Sequence, residues 1–277
     1  MNIWYDNGGK VMKLYVLNTG YLETDKNGVV ACATIGTKSR PHVSNEWIKL
    51  PVMAFLLETE GGYILFDTGS HPDAMKGYWQ ETMQETYPLY QKEEERLENQ
   101  LALCGVKPED IHTVVMSHMH LDHAGNLHLF PHADVYVPKA DFMYGQTMVR
   151  LNPDPNTHGG YIKGDMDCQV KQYHLVEEDF TLAPGVEVIN LPGHTPGLLG
   201  LVVHLKGGTV ILPQDCVYTK ENYGPPAKAS GFLYDSLSFF SSIEKVRRLE
   251  EKYQAKVIFA HDYEFFQTLK LAPAYYE

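Results

Sequence analysis

One short segment indicates the fold of this chain more strongly than any other: Ser117-His118-Met119-His120-Leu121-Asp122-His123-Ala124-Gly125, which directly follows a β-branched strand predicted over Ile111–Met116. Three histidines and one aspartate stand within six consecutive positions of this segment. A turn at the end of a strand can direct such side chains into one pocket, and imidazole and carboxylate groups are ligands that Zn²⁺ accepts. Because burying these groups without a cation would leave several of them unsatisfied, the segment predicts a metal site.

Residues of the same ligand types occur at the ends of three other predicted strands. They are His194 after Val186–Asn190, Asp215 after Thr209–Leu212 and His261 after Lys256–Ala260. Ligand-type side chains that recur where strands end are typical of a site at one edge of a sheet. We therefore expect these three residues to join the histidine-rich segment.

The order of the predicted elements indicates a layered α/β fold. Strands form an early and a late set with helices after them, and the clearest helix spans Ser236–Tyr253 with one apolar face. We treat residues 1–277 as one domain, with residues 1–11 as an N-terminal extension. A short helix is predicted over Lys139–Tyr144. Residues 148–179 are predicted as a loop insertion, because turn-forming Pro, Asn and Gly residues are frequent there.

Composition limits the partners and the compartment. The 277 residues carry a net charge of −12, which disfavours binding to a phosphate backbone, and no apolar run approaches the roughly 18 residues of a membrane span. The first ten residues show no secretory signal. The four cysteines are scattered and form no CxxC pair, which favours a reducing cytoplasm. We expect no nucleic-acid or membrane partner, and whether the chain forms a homodimer stays open.

With these residues in view, the chain resembles the metallo-β-lactamase superfamily. The HxHxDH signature, the Gly-His at His194, the post-strand Asp215 and the final Ala-His at His261 follow the order of that superfamily over residues 13–265, and Phe66-Asp67-Thr68-Gly69 is similar to its aspartate turn. The resemblance implies an αββα sandwich with a metal site at one edge of the sheets.

Further segments are similar to one branch of this superfamily, the N-acyl-homoserine lactonases. They are Leu50-Pro51-Val52, Leu56-Leu57-Glu58-Thr59-Glu60-Gly61-Gly62 and Asp215-Cys216-Val217-Tyr218-Thr219-Lys220-Glu221-Asn222. In that branch, a tyrosine three residues after the bridging aspartate faces the substrate carbonyl, and Tyr218 stands at this position. The resemblance implies a hydrolase that opens the lactone ring of N-acyl-homoserine lactones in quorum quenching.

The resemblance also implies two divalent metal ions. Zn²⁺ suits a nitrogen-rich ligand set best, and Co²⁺, Mn²⁺ or Fe²⁺ would also fit. Carried over by position, the ligands are His118, His120 and His194 for one metal, Asp122, His123 and His261 for the other, and Asp215 as the bridge between them. Asp67 would orient one ligand histidine. The alternative is that Asp67 only caps its turn.

The mechanism implied by the resemblance is attack on the lactone carbonyl by a hydroxide that bridges the two metals. Tyr218 would donate a hydrogen bond near the carbonyl oxygen, and Asp122 would carry a proton to the departing ring oxygen. The acyl chain would need an apolar groove. Candidate groove residues are Leu121, Phe142, Met143 and Met148, for which burial in the core is the alternative.

Two alternative functions would use the same metals. One is hydrolysis of a different lactone, and the other is a glyoxalase-II-like thioesterase. A thioesterase acting on glutathione conjugates usually supplies cations near the substrate carboxylates.

Overall fold

Two β-sheets form the centre of the structure, a computed structural model that describes residues 11–277. The predicted extension over residues 1–11 therefore lies, apart from Val11, outside the described residues. The strands are β1 (Lys13–Asp25), β2 (Trp47–Thr59), β3 (Gly62–Phe66), β4 (Leu89–Tyr90), β5 (Ile111–Val115), β6 (Asp134–Pro138), β7 (Gln172–Val176), β8 (Phe180–Ala183), β9 (Val186–Asn190), β10 (Leu199–Leu205), β11 (Gly208–Leu212), β12 (Lys256–Val257) and β13 (Tyr275–Tyr276).

Helices occupy several of the connections. They are α1 (Lys26–Val29), α2 (Glu81–Thr86), α3 (Leu97–Leu103), α4 (Lys139–Leu151), α5 (Lys163–Met166), α6 (Lys220–Tyr223), α7 (Ser236–Tyr253) and α8 (Tyr263–Phe266). Within residues 11–277, no helix combines the length and the apolar character needed to cross a bilayer.

The residues predicted as metal ligands follow β5 in the first sheet and β9, β11 and β12 in the second. The first sheet has the order β13-β1-β2-β3-β5-β6-β7, with β4 paired to β1. Its β3, β5, β6 and β7 are parallel, which requires crossover connections, and α3 and α4 lie in two of these. The second sheet has the order β12-β11-β10-β9-β8 and is antiparallel except for the β11–β12 pair.

Alternation along the strands divides the core into layers. In β2, Phe55 and Leu57 pack with Leu201 of the second sheet, whereas Leu56 points to the opposite face and packs in one cluster with Leu101 of α3. All five side chains are fully buried. The two sheets therefore pack face to face, with α3 on the outer face of the first sheet.

The helix predicted over Ser236–Tyr253 is α7, with the same bounds. Its Phe239, Ile243 and Val246 are fully buried and pack with Ile211 on the outer face of the second sheet. Helices thus cover both outer faces, and the predicted αββα sandwich is confirmed.

The segment 148–179, predicted as a loop insertion, contains regular elements, and the prediction is wrong for those residues. The helix α4 continues to Leu151 instead of ending at Tyr144, and β7 adds an edge strand to the first sheet. Gly145 lies inside this helix, at a point where a Cβ atom would come within 2.6 Å of the ring of Tyr161. This glycine therefore permits close packing instead of ending the helix. The β7 sequence is half-exposed and lacks the alternation that identifies a strand.

Candidate metal centre

The seven residues predicted as metal ligands lie together, on four loops that each follow a strand. The loop after β5 carries four of them, and the loops after β9, β11 and β12 carry one each. Their ligand atoms form three overlapping groups, with all atoms of a group within 4.8 Å of one another. We call His118, His120 and His194 the histidine group, and Asp122, His123 and His261 the carboxylate group. The remaining group joins these two, and it consists of His118, His123 and Asp215.

Asp215 lies between the two groups, with one carboxylate oxygen towards each. Its Oδ2 is 3.5 Å from Nε2 of His194 and 3.9 Å from Nε2 of His118. Its Oδ1 is 3.0 Å from Nε2 of His261 and 3.2 Å from Nε2 of His123. A carboxylate in this position can contact two cations at once, as a bridging ligand does in two-metal sites.

Hydrogen bonds on the far side of the rings fix how the histidines face the cluster. Nδ1 of His261 donates to the carbonyl of Pro51 at 2.9 Å, and Nδ1 of His194 donates to the carbonyl of Phe232 at 3.1 Å. When each ring is in the neutral form that binds a metal, its single N–H makes this bond, which leaves Nε2 as a lone pair directed at the cluster. Metal-ligating histidines are held in this way by their second nitrogen.

The aspartate turn supports the carboxylate group. Oδ2 of Asp67 accepts hydrogen bonds from Nδ1 of His123 and from the Ser117 hydroxyl, both at 2.7 Å, and Oδ1 accepts from the backbone N–H of Ser117 at 2.6 Å. The side-chain amide of Gln214 also donates to Asp67. Asp67 is fully buried, and its contact with His123 is the one that the predicted orienting role requires.

Two buried nitrogens of the cluster lack a hydrogen-bond partner among the described residues. They are Nε2 of His118 and Nε2 of His123. An unsatisfied buried polar atom costs about 1–3 kcal/mol, so native structures seldom keep one without a reason. A divalent cation would accept these lone pairs, and the His and Asp donor set is of the type that Zn²⁺ and related ions bind. The residues present therefore fit a pair of divalent cations.

The pKa values of the histidines shift in opposite directions in the two groups. Burial, with contributions from neighbouring imidazoles, lowers the pKa of every member of the histidine group. Burial alone would also lower the pKa of His123 and His261, but the carboxylates of Asp122 and Asp215 raise both values above the ordinary one. Although burial opposes it, the charge of His261 and His123 holds the pKa of Asp215 well below its usual range. The histidine group is consequently neutral, whereas the carboxylate group is the charged side of the cluster.

A cavity of about 130 Å³ opens onto the cluster. One wall carries polar side chains of both groups, together with Asp215 and Tyr218. The rest of the lining is mostly apolar, and we call its side chains the apolar wall; they include Leu22, Leu50, Met83, Tyr87, Leu121 and Phe232. A cavity with both convergent polar groups and apolar side chains suits a small molecule with a polar head and an apolar tail.

The residues considered for an apolar groove divide between cavity and core. Leu121 lines the cavity. Phe142 and Met148 pack against the core on the outer face of the first sheet, and Met143 is half exposed. The alternative of burial in the core therefore holds for Phe142 and Met148.

Tyr218 and Asp122 lie in the polar wall. The Tyr218 hydroxyl is 3.0 Å from Nδ1 of His194. Burial, followed by the charge of Asp215, raises the pKa of Tyr218 well above its usual value, so the phenol remains a hydrogen-bond donor at neutral pH. Oδ2 of Asp122 lies 3.5 Å from Nε2 of His123. The Tyr218 hydroxyl thus lies beside the histidine group, while the Tyr218 ring also packs against that of His261, with 5.3 Å between centroids. Asp122 is itself a member of the carboxylate group.

The sequence profile of the Metallo-beta-lactamase superfamily matches residues 47–261, which include all seven residues of the cluster. The chain belongs to this superfamily. It is also similar over nearly its whole length to N-acyl homoserine lactonases. It is 35% identical to N-acyl homoserine lactonase AiiB of Agrobacterium fabrum, with 96% of this chain and 99% of the relative covered. It is 34% identical to an N-acyl homoserine lactonase of a Bacillus species, with the same coverage.

A solved structure extends this similarity to the fold. It is an N-acyl homoserine lactone hydrolase with the product N-hexanoyl-L-homoserine bound at the catalytic metal centre. Its TM-score is 0.80 at 28% sequence identity, with 96% of this chain and all of that chain covered. Within the superfamily, this chain therefore belongs with the lactonases.

Sequence reasoning missed several residues that shape the site. Tyr87 and Phe232 come from irregular segments without a recognisable pattern, and Gln214 stands beside Asp215 without a signal of its own. Asp141 lies in the first turn of α4, where an acidic residue usually has only a capping role. For Asp141, the signal that sequence lacks is its complete burial.

Proposed function

We propose that this chain is a dinuclear metal-dependent N-acyl homoserine lactonase, which hydrolyses the lactone ring to the open-chain acyl homoserine. The observation that carries this proposal is the position of Asp215, which has one oxygen towards each ligand group and lines a cavity that contains both polar and apolar side chains. Full-length similarity to lactonases supports the same substrate class.

The proposed metal ligands are the histidine group, the carboxylate group and the shared Asp215. Two divalent cations bound there would polarise the lactone carbonyl and lower the pKa of a water molecule, which supplies a nucleophile at neutral pH. Zn²⁺ is our proposed metal because five of the seven ligands are imidazoles. The unpartnered nitrogens of His118 and His123 support this assignment.

In our proposal, Tyr218 stabilises negative charge on the carbonyl oxygen, and Asp122 transfers a proton. Attack of water on the carbonyl carbon forms a C–O bond and places negative charge on the carbonyl oxygen, to which the Tyr218 hydroxyl donates a hydrogen bond. Asp122 accepts the proton of the attacking water and delivers it to the ring oxygen when the ester bond breaks. The single product carries both the new carboxylic acid and the new alcohol.

The apolar wall is proposed to hold the acyl chain. Leu22, Leu50 and Met83 offer no hydrogen-bonding group, whereas the ring must reach the polar wall. No Lys or Arg occurs among the described residues that line this cavity, so it offers no cation to the carboxylates of a glutathione thioester. This absence favours a lactone over the thioesterase substrate. A cytoplasmic location and a homodimer stay predictions from sequence.

A hydrolysis screen with protein of known metal content tests the proposal. The panel contains short- and long-chain N-acyl-homoserine lactones, simple γ-lactones and lactoylglutathione. We expect turnover of the acyl homoserine lactones that a chelator abolishes and that zinc or cobalt restores. Turnover of lactoylglutathione alone would favour the thioesterase, and turnover of γ-lactones alone would favour another lactone. Two bound metals with no turnover of any panel member would contradict the proposed substrate class.

A further inference from the structure

Asp141 is a fully buried carboxylate that is neither one of the seven clustered residues nor a lining residue of the cavity. Its Oδ2 accepts a hydrogen bond from the backbone N–H of Met119 at 2.8 Å, and its Oδ1 accepts one from the Tyr161 hydroxyl at 2.5 Å. The Thr195 hydroxyl, which donates to the carbonyl of Gly197 at 2.6 Å, also lies beside the carboxylate. Asp141 therefore joins three segments that are distant in sequence.

Each partner of Asp141 adjoins a member of the histidine group. Met119 is the residue between the first two histidines of that group, and Thr195 directly follows the third. The ring of Tyr161 packs edge-on against the ring of His120, with 4.8 Å between centroids, and the backbones of these two residues form an isolated β-bridge. The contacts of Asp141 thus converge on one ligand group from three directions.

The carboxylate group has a different support. Asp67 accepts a hydrogen bond directly from His123, whereas in the described part of the chain no hydrogen bond joins Asp141 to Asp122, His123 or His261. Asp67 therefore contacts a ligand of the carboxylate group directly, and it reaches His118 of the histidine group only through the Ser117 hydroxyl, which lies 3.0 Å from Nδ1 of His118. One of these aspartates acts on a ligand ring, and the other acts on the backbone and the neighbours of the ligands.

We propose that Asp141 is a positioning residue for the histidine group, and that its loss weakens one of the two metal sites while the other keeps its affinity. This inference rests on the proposed dinuclear function. Without the carboxylate, the N–H of Met119 and the hydroxyl of Tyr161 lose their buried acceptor, and the loop between His118 and His120 is free to relax. Ligand rings that are displaced by a fraction of an ångström bind a metal less tightly.

The test is a titration of metal-free protein with Zn²⁺ in the presence of a chromophoric chelator. Wild type is expected to bind two equivalents. In Asp141→Ala, we expect the affinity for one equivalent to fall by about 10- to 100-fold, the usual effect of removing a group that supports a ligand. The affinity for the other equivalent should stay within about twofold of wild type. In Asp141→Asn, which keeps an amide oxygen for the N–H of Met119, the loss should be smaller.

Cobalt spectra identify which site is affected. Asp141→Ala loaded with one equivalent of Co²⁺ should give the visible spectrum of His194→Ala, which lacks a ligand of the histidine group. It should differ from the spectrum of His261→Ala, which lacks a ligand of the carboxylate group. This readout is independent of turnover and separates a positioning role from a general loss of stability.

Asp165→Ala is the matched control. Asp165 is also fully buried and also accepts a hydrogen bond from a tyrosine, Tyr78, at 2.6 Å, but it adjoins no ligand. We expect this variant to lose thermal stability and to keep both zinc affinities. If Asp141→Ala weakens both sites equally, or neither, Asp141 has no selective positioning role. If Asp141→Ala does not fold, the same criteria apply to Asp141→Asn. Wild type that binds fewer than two equivalents would contradict the dinuclear function itself, and this inference with it.

Discussion

The histidine group and the carboxylate group lie on either side of Asp215, yet they differ in charge. Burial keeps the histidine group neutral, while carboxylates raise the pKa of His123 and His261 on the other side. A cation shared with carboxylates loses more of its effective charge than one held by neutral imidazoles. Under the proposed function, a cation held by the histidine group would share a carboxylate only through Asp215, whereas one held by the carboxylate group would also bind Asp122, so the former would be the stronger electrophile. The Tyr218 hydroxyl, which lies beside His194, would add a hydrogen-bond donor on that same side.

Under the proposed function, this difference predicts how the lactone is oriented in the site. The carbonyl oxygen, which gains negative charge, belongs on the side of the histidine group and Tyr218. The ring oxygen, which needs a proton when it leaves, belongs on the side of Asp122. The two halves of the cluster are thus unequal in role, although the number of ligands in each is the same.

Removal of Asp215, which the two groups share, should lower metal affinity and turnover more than any other substitution considered below. Asp215→Ala should lower both metal affinities, because each oxygen of Asp215 faces one group. Turnover of an acyl homoserine lactone should fall to the level of chelator-treated wild type. Metal content by mass spectrometry and initial rates on the same preparation check this prediction. Retention of two tightly bound metals would mean that Asp215 is not the bridge.

A smaller effect, unequal between the two sites, is expected at the aspartate turn. Asp67→Ala removes the hydrogen bond to Nδ1 of His123 and should weaken the site of the carboxylate group by about 10- to 100-fold. The other site should weaken less, because Asp67 reaches His118 only through Ser117. The cobalt spectrum of the singly loaded variant should match that of His261→Ala. If it instead matched His194→Ala, the association of Asp67 with the carboxylate group would be wrong.

The ligand cluster could be predicted from the sequence because each of its residues lies in a segment that follows a strand. A strand end fixes where the next residue lies, so His194, Asp215 and His261 converge once the sheets are packed. Even where β12 is shorter than predicted, the backbone N–H of His261 donates to the carbonyl of Tyr218 at 2.8 Å, which keeps His261 in place.

The support of the cluster could not be predicted in the same way. Asp141 has the sequence context of an ordinary acidic residue in a first helical turn, and only the tertiary packing buries it. The continuation of α4 past Tyr144 includes Gly145, whose close packing against Tyr161 is a tertiary contact that the sequence does not reveal. Tyr87 and Phe232 of the apolar wall lie in irregular segments, which have neither helical nor strand periodicity.

Tyr218→Phe tests the hydrogen bond that the Tyr218 hydroxyl is proposed to donate. The variant loses one hydrogen-bond donor to the developing negative charge, which is worth about 1.5–3 kcal/mol, or about a 10- to 100-fold fall in kcat. Metal content should stay at two, because Tyr218 is not among the proposed ligands. Steady-state kinetics and metal analysis on the same sample give both readouts. An unchanged kcat would remove Tyr218 from the mechanism.

A substitution in the apolar wall should have a weaker effect, and its size should depend on the length of the acyl chain. Phe232→Ala keeps the backbone carbonyl that accepts from Nδ1 of His194, so the histidine group should be undisturbed. Loss of the ring should raise KM for a decanoyl substrate by about tenfold, within the about 1–3 kcal/mol expected of an apolar pocket contact, and should change KM for a butyryl substrate much less. Equal changes for both chain lengths would place the acyl chain elsewhere.

The smallest effect on activity is expected at Asp165, which lies outside both ligand groups. Burial raises its pKa from the ordinary 3.8 to about 7, and its Oδ2 has no hydrogen-bond partner among the described residues. Because the folded state holds this proton more tightly than the unfolded state, protonation of Asp165 stabilises the fold at low pH. That stabilisation is lost as the pH rises from about 4 to about 7, by at most about 1.4 kcal/mol for each pH unit.

Asp165→Asn replaces the carboxyl by a group that stays neutral at every pH. The stability of wild type relative to Asp165→Asn should therefore be greatest near pH 5 and should decrease until about pH 7, above which it should be constant. Urea denaturation of both proteins at pH 5, 6, 7 and 8 checks this, and comparing them at the same pH cancels the effect of pH on the metal ligands. A stability difference that does not change with pH would mean that Asp165 is ionised in the fold. Turnover per bound metal should be the same in both proteins, because neither ligand group touches Asp165.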